Sequence, residues 1–191
     1  LMYDITATAA GAAVDRVPLR DMKMDLAAMA DRVSEKTRLV FVCNPNNPTG
    51  TVVSRTAFDL FMARLPDHVV VVVDEAYIEF VRDPKCLQSK AYWGGERLIV
   101  TLRTFSKLYG LAGLRVGYGV MPEELAGYLN RIRQPFNVNS LAQAAAVDQD
   151  PIAAAQIADL VAEGRSGLDH PDGDGRDDSG MHGPEHRPAP Q

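Results

Sequence analysis

The sequence predicts an α/β fold, a mostly parallel sheet flanked by helices, on the strength of three observations. Two short runs, "RLVFVCN" and "VVVVVDEAY", are continuously apolar and rich in β-branched residues, the pattern of strands buried on both faces. Between them, "SRTAFDLFMARLP" spaces its apolar residues as a helix does. Strand, helix and strand in that order make a βαβ unit, whose two strands run parallel.

In chain order, "GAAVDRVPL" is expected as a strand and "DLAAMADRVSE" as a helix capped by Asp25. After the strand "RLVFVCN", Ser54 caps the next helix. There Ala57, Phe58, Phe61, Met62 and Leu65 share one face, and Pro66 is a stop signal. "VVVVVDEAY" is the strand that follows, then "RLIVTL" and "LRVGYGVM" as two more. "PEELAGYLNRIR" reads as a helix with Pro122 in its first turn, where a missing N–H costs nothing. No internal repeat interrupts this order.

Composition narrows the function classes. The chain has 191 residues, 46% hydrophobic, with a formal net charge of −5, an ordinary globular composition without the basic footprint of a nucleic-acid binder. No stretch approaches the roughly 18 apolar residues that would span a bilayer, so a membrane partner is not expected either. Cys43 and Cys86 lack metal-ligand spacing and read as reduced structural thiols, which fits a cytoplasmic setting. The chain opens without a basic segment ahead of an apolar one, so a secretory signal is not expected, and it does not begin with methionine, so a fragment is expected.

From Gly164 onward, "GRSGLDHPDGDGRDDSGMHGPEHRPAPQ" is rich in glycine, proline and aspartate and has no aromatic residue. Such a segment buries too little to offset the entropy of ordering its backbone. Residues 164–191 are therefore expected to be a disordered or artefactual tail after a domain spanning 1–163. His170, His182 and His186 lie in it at irregular spacing and read as solvated side chains rather than metal ligands.

The chemistry concentrates at strand ends, where open α/β sheets bind ligands. "NPNNPTG", Asn44 to Gly50, ends the first buried strand: Pro45 and Pro48 restrict φ, Gly50 allows positive φ, and the turn presents side-chain amides. The next strand ends on Asp74, with Tyr77 after it in "DEAY". An acidic pair at that position is costly unless it has a use. "VVVVVDEA" also fits the acidic strand of a nucleotide hydrolase, but that reading needs a G-x-x-x-x-G-K-[ST] loop and the sequence contains no Gly-Lys pair. "TLRTFSKLYGLAGLR", Thr101 to Arg115, adds hydroxyls, one amine, glycines and one guanidinium.

In this order the three motifs resemble the fold-type I pyridoxal-phosphate enzymes, specifically the class II aminotransferases, over roughly residues 3–146. "RIRQPFNVNSLAQAAA" brings the resemblance toward the histidinol-phosphate aminotransferases. The resemblance implies an incomplete large cofactor-binding domain that carries pyridoxal 5'-phosphate. Lys107 matches the family's Schiff-base lysine and catalytic base, and Asp74 the carboxylate against the pyridine nitrogen. Asn47 and Tyr77 match the partners of the ring hydroxyl, Ala76 the small residue under the ring. Thr104, Ser106 and Arg115 match the phosphate site. Each residue type suits its place, with an amine for an aldehyde, a carboxylate for a protonated ring, and donors with one permanent cation for a phosphate.

The implied activity is transamination between histidinol phosphate and 2-oxoglutarate in histidine biosynthesis. The partners would be small amino-acid and keto-acid substrates and, at full length, a second copy in a homodimer. An aromatic amino acid aminotransferase and a phosphothreonine decarboxylase-like enzyme are the alternatives within the class. An inactive truncated gene product is the alternative outside it. The family's N-terminal arm, its glycine-rich phosphate-binding segment and the arginine that grips the substrate carboxylate have no match here, so impaired activity is expected.

Overall fold

The computed structural model describes residues 2–149, so the expected tail and the domain boundary near 163 lie outside the described residues. The apolar runs form the sheet. Strand β1 is Leu39–Cys43, β2 is Val70–Asp74, β3 is Ile99–Thr104 and β4 is Gly117–Val120, side by side in that order. β1, β2 and β3 are parallel, and β4 runs antiparallel to β3. The register sets Cys43 beside Asp74 and Asp74 beside Leu102, bringing three strand ends to one edge.

Helix α1 is Met2–Ala9, α2 Leu26–Arg32, α3 Arg55–Met62, α4 Glu123–Ile132 and α5 Ser140–Val147. The expected caps form: Asp25 accepts from the Ala28 N–H, and Ser54 accepts from that of Ala57. Each satisfies one of the orphan donors of a helix start, worth about 1 kcal/mol. α5 is capped in the same way by Asn139.

The core lies on one face of the sheet. Val40, Val42, Val71, Val73 and Ile99 pack against Leu26 and Ala30 of α2 and Phe58, Phe61 and Met62 of α3, with Leu65 and Leu87 closing the cluster. Full burial of each large apolar side chain contributes about 1.5–3 kcal/mol, which fixes α3 on this face. A second cluster, Phe105 and Val116 with Ala142 and Ala146 of α5, anchors the chain after β3.

Three expectations are corrected. "GAAVDRVPL" forms no strand: of residues 11–19 only Val17 is half-buried and the others are exposed. A strand needs a neighbour for its N–H and C=O groups, and among the described residues this segment pairs with no strand of the sheet. Ala57 is exposed rather than on the buried face, because it falls in the first turn of α3, ahead of the contact made by Phe58. Pro122 is the N-cap of α4, one position earlier than expected, its extended ψ of 142° leaving it outside the helix.

Candidate active site

The pleat decides which strand-end residues meet. Successive strand residues point to opposite faces, so Asp74 shares a face with Cys43 beside it, while Val73 and Glu75 point to the core side. Leu102 and Thr104 of β3 then fall on the Asp74 face and Arg103 on the other. A front carrying Asp74 and Thr104 is thus separated from a back carrying Glu75 and Arg103.

On the front, Asp74 Oδ1 accepts from the Ala76 N–H at 3.0 Å. Oδ2 accepts from the hydroxyl of Tyr3, whose ring stacks on Phe41 of β1 at 4.4 Å. Burial, then the bond to Asp74 and its charge, push the Tyr3 phenol far above its ordinary value, so Tyr3 remains a donor at neutral pH. Cys43 is also raised, by burial first and then by the Asp74 charge, and stays a thiol. Both cysteines are free, and no cluster of metal-ligating side chains occurs among the described residues.

The loop after β1 reaches across to the loop after β2. Gly50 takes φ +70°, as expected, and Asn46 Nδ2 bonds Thr49 Oγ1 to brace the turn. Asn44 is its buried root: Oδ1 accepts from the Val53 N–H at 2.8 Å, and Nδ2 donates to the Leu87 carbonyl at 3.2 Å. So braced, the turn presents Asn47, whose Nδ2 donates to the Tyr77 hydroxyl at 3.3 Å. Lys107 comes from the third strand end and sets Nζ 5.0 Å from the centre of the Tyr77 ring.

Asn47, Tyr77 and Lys107 are therefore brought together, and Asp74 and Ala76 stand at the root of the same loop. Thr104 accepts from the Ser106 N–H at 3.1 Å, turning the chain toward Lys107. Arg115 is placed differently from the rest. It takes a left-handed φ of 55° and donates to the Ala112 carbonyl at 2.7 Å, so its exposed guanidinium lies on its own turn. A cleft of about 510 Å³ adjoins the site at Asn47 and Tyr77 and extends to Phe80 and Arg82; neither Asp74 nor Lys107 lines it.

This donor set fits pyridoxal phosphate. It supplies one amine beside a phenol, a carboxylate whose oxygens each keep a lone pair after accepting one bond, and hydroxyls in the turn that carries the amine. The residue matches extend along the chain: the profile of the aminotransferase class I and II family matches residues 1–156.

This chain belongs to the class I and II aminotransferases.

A histidinol-phosphate aminotransferase of Moorella thermoacetica is 53% identical over 146 residues, covering 76% of this chain and 38% of the relative. An aromatic amino acid aminotransferase of Streptomyces avermitilis is 50% identical over 146 residues, covering 76% of this chain and 41% of that protein. Among solved structures, the histidinol-phosphate aminotransferase of Sinorhizobium meliloti in complex with pyridoxal-5'-phosphate superposes with a TM-score of 0.69 at 29% identity. It covers 87% of this chain and 43% of that one. The chain thus spans about two fifths of the length of these relatives.

Some residues of the site were not legible in the sequence. Tyr3 lies 71 positions from Asp74, and no local pattern links them. Glu75 is fully buried on the back face, where Arg103 donates to its Oε2 from Nε at 3.0 Å and Nη2 at 2.7 Å. Alternation along "DEAY" and "RTFSK" was the signal for that pair, since the residue beside each front-facing group must point backward.

Proposed function

We propose that this chain holds pyridoxal 5'-phosphate and supplies the catalytic lysine of an aminotransferase that exchanges the amino group between histidinol phosphate and 2-oxoglutarate. The observation that carries the reading is the convergence of Asn47, Tyr77 and Lys107 at the sheet edge that ends in Asp74. When bound, the cofactor's pyridinium ring supplies an electron sink for the pair left at the substrate α-carbon.

Lys107 Nζ would be the amine that holds the aldehyde carbon and the base that moves the proton at the substrate α-carbon. The Asp74 carboxylate favours a protonated ring nitrogen, and Tyr3 and the Ala76 N–H hold that carboxylate in one orientation. Tyr77, supported by Asn47, would donate to the ring hydroxyl, and Ala76 would leave room for a flat ring. Thr104 and Ser106 supply hydroxyls to the phosphate. Arg115 would join them on exchanging its single exposed hydrogen bond to the Ala112 carbonyl for the phosphate.

Histidinol phosphate as the amino donor is supported by the Moorella relative. An aromatic amino acid donor is the second reading, favoured by the 50% identical Streptomyces relative. The test mixes the chain with pyridoxal phosphate, reduces with borohydride and maps the adduct by mass spectrometry. A pyridoxyl group on Lys107 that is absent from Lys107→Ala is the expected result, and an adduct only on other lysines overturns the assignment. Adding histidinol phosphate or phenylalanine before reduction separates the two readings, since the true amino donor protects Lys107 from reduction at the lower concentration.

A further inference from the structure

Behind the site, the buried pair Glu75 and Arg103 is not used by the proposed chemistry. Glu75 accepts two N–H groups of Arg103 through Oε2, and its Oε1 accepts from the Ser89 N–H at 2.8 Å. Arg103 Nη1 also lies 3.6 Å from Glu79 Oε1, and all three side chains are largely or fully buried. Burial opposes the Arg103 charge, but Glu75, with Tyr118 and Glu79 adding to it, holds the guanidinium above its ordinary value.

Position gives the pair a meaning beyond packing. The β2–β3 ladder ends at Asp74 and Leu102, followed by one backbone bond from the Glu75 N–H to the Leu102 carbonyl. Beyond that, the loop bearing Ala76 and Tyr77 leaves β2, while Thr104 turns toward β4 and Lys107. Glu75 adjoins Asp74 and Arg103 adjoins Thr104, so a link between the rear side chains ties together the two front-facing neighbours where the ladder stops. Buried ion pairs are weak contributors to stability, since apolar replacements of similar volume are commonly neutral or better. Their distinctive property is orientation: the planar guanidinium directs several N–H groups in fixed directions, which an apolar contact does not.

We propose that Glu75 and Arg103 are positioning residues, a buried link across the back of the sheet that sets the separation of Asp74 from Thr104 and, through the following turn, from Lys107. The pair is a structural device toward the cofactor site and rests on that site being the one described above.

The test uses the full 191-residue chain and the double variant Glu75→Gln/Arg103→Met. The glutamine keeps an acceptor for the Ser89 N–H, and methionine fills most of the space of arginine without its charge. The urea midpoint is expected to fall, because Glu79 loses its Arg103 partner. Hydrogen exchange at the amides of Ala76 and Ser106 should accelerate about tenfold relative to that of Val42 and Val73. Borohydride-trapped pyridoxal phosphate at Lys107 should form about tenfold more slowly. Should the variant be destabilised overall, core and site amides accelerate together, and the ratio between them remains the deciding quantity. An unchanged ratio with parental trapping overturns the proposal and leaves the pair a packing element. If the parent itself traps no cofactor at Lys107, the proposed function fails while the exchange ratio still decides the positioning role.

Discussion

Removing a single oxygen in Tyr3→Phe isolates the contact that reaches from α1 to the strand end carrying Asp74. The ring stacks nearly parallel on Phe41, 12° between planes, so phenylalanine keeps the packing and loses only the hydroxyl that donates to Asp74. A hydrogen bond to a charged acceptor contributes about 1.5–3 kcal/mol. Tyr3 and Asp74 are both half-buried, so water replaces part of the lost bond and a cost of about 1 kcal/mol is expected. With a urea m-value of about 1–3 kcal/mol/M, the midpoint should fall by about 0.3–1 M. Because the folded Tyr3 phenol is raised above the unfolded one, its contribution is complete below the ordinary phenol value near 10.0 and is lost as pH rises beyond it. The parent should therefore weaken with alkali more steeply than Tyr3→Phe. A double-mutant cycle with Asp74→Asn, read by urea unfolding, measures the pair itself. A coupling below about 0.3 kcal/mol, together with equal alkaline slopes, would refute the reasoning.

Asn44→Ala leaves the buried Val53 N–H without its acceptor and the Leu87 carbonyl with only the weak Cys86 thiol donor, a loss of about 1–3 kcal/mol measurable as a lower urea midpoint. In Gly117→Ala the new Cβ would lie 2.6 Å from the Arg103 carbonyl oxygen. The β3–β4 pair must spread at a cost of about 1–3 kcal/mol, and the Phe105 amide, which donates to Val116, should exchange faster. Tyr92 donates to Asp59 at 2.5 Å, and burial, then that bond and the Asp59 charge, raise its phenol from 10.0 to about 12. Its contribution is present below pH 10 and disappears as pH rises through 12, so Tyr92→Phe should flatten the stability curve in that window. An unchanged curve by circular dichroism would count against the Asp59 contact.

What the sequence determined by itself is local. The β-branched runs at Leu39–Cys43, Val70–Asp74 and Ile99–Thr104 became strands because β-branched side chains favour extended backbone and pack well on a pleated surface. Asp25 and Ser54 cap helices because a short oxygen-bearing side chain reaches an N–H three residues on. The motif residues Asn47, Asp74, Tyr77 and Lys107 were found where they stand because strand ends and turns are encoded nearby in the chain. Tertiary structure decided the rest. "GAAVDRVPL" has strand composition but pairs with none of the described strands, and Ala57 has helical spacing but stays exposed. Tyr3 meets Asp74 across 71 positions, and Arg103 meets Glu75 across 28. Such pairs depend on register and on which face each residue takes. A shift of one residue in β3 would send Arg103 to the front and Thr104 to the back, and local propensity does not detect that difference.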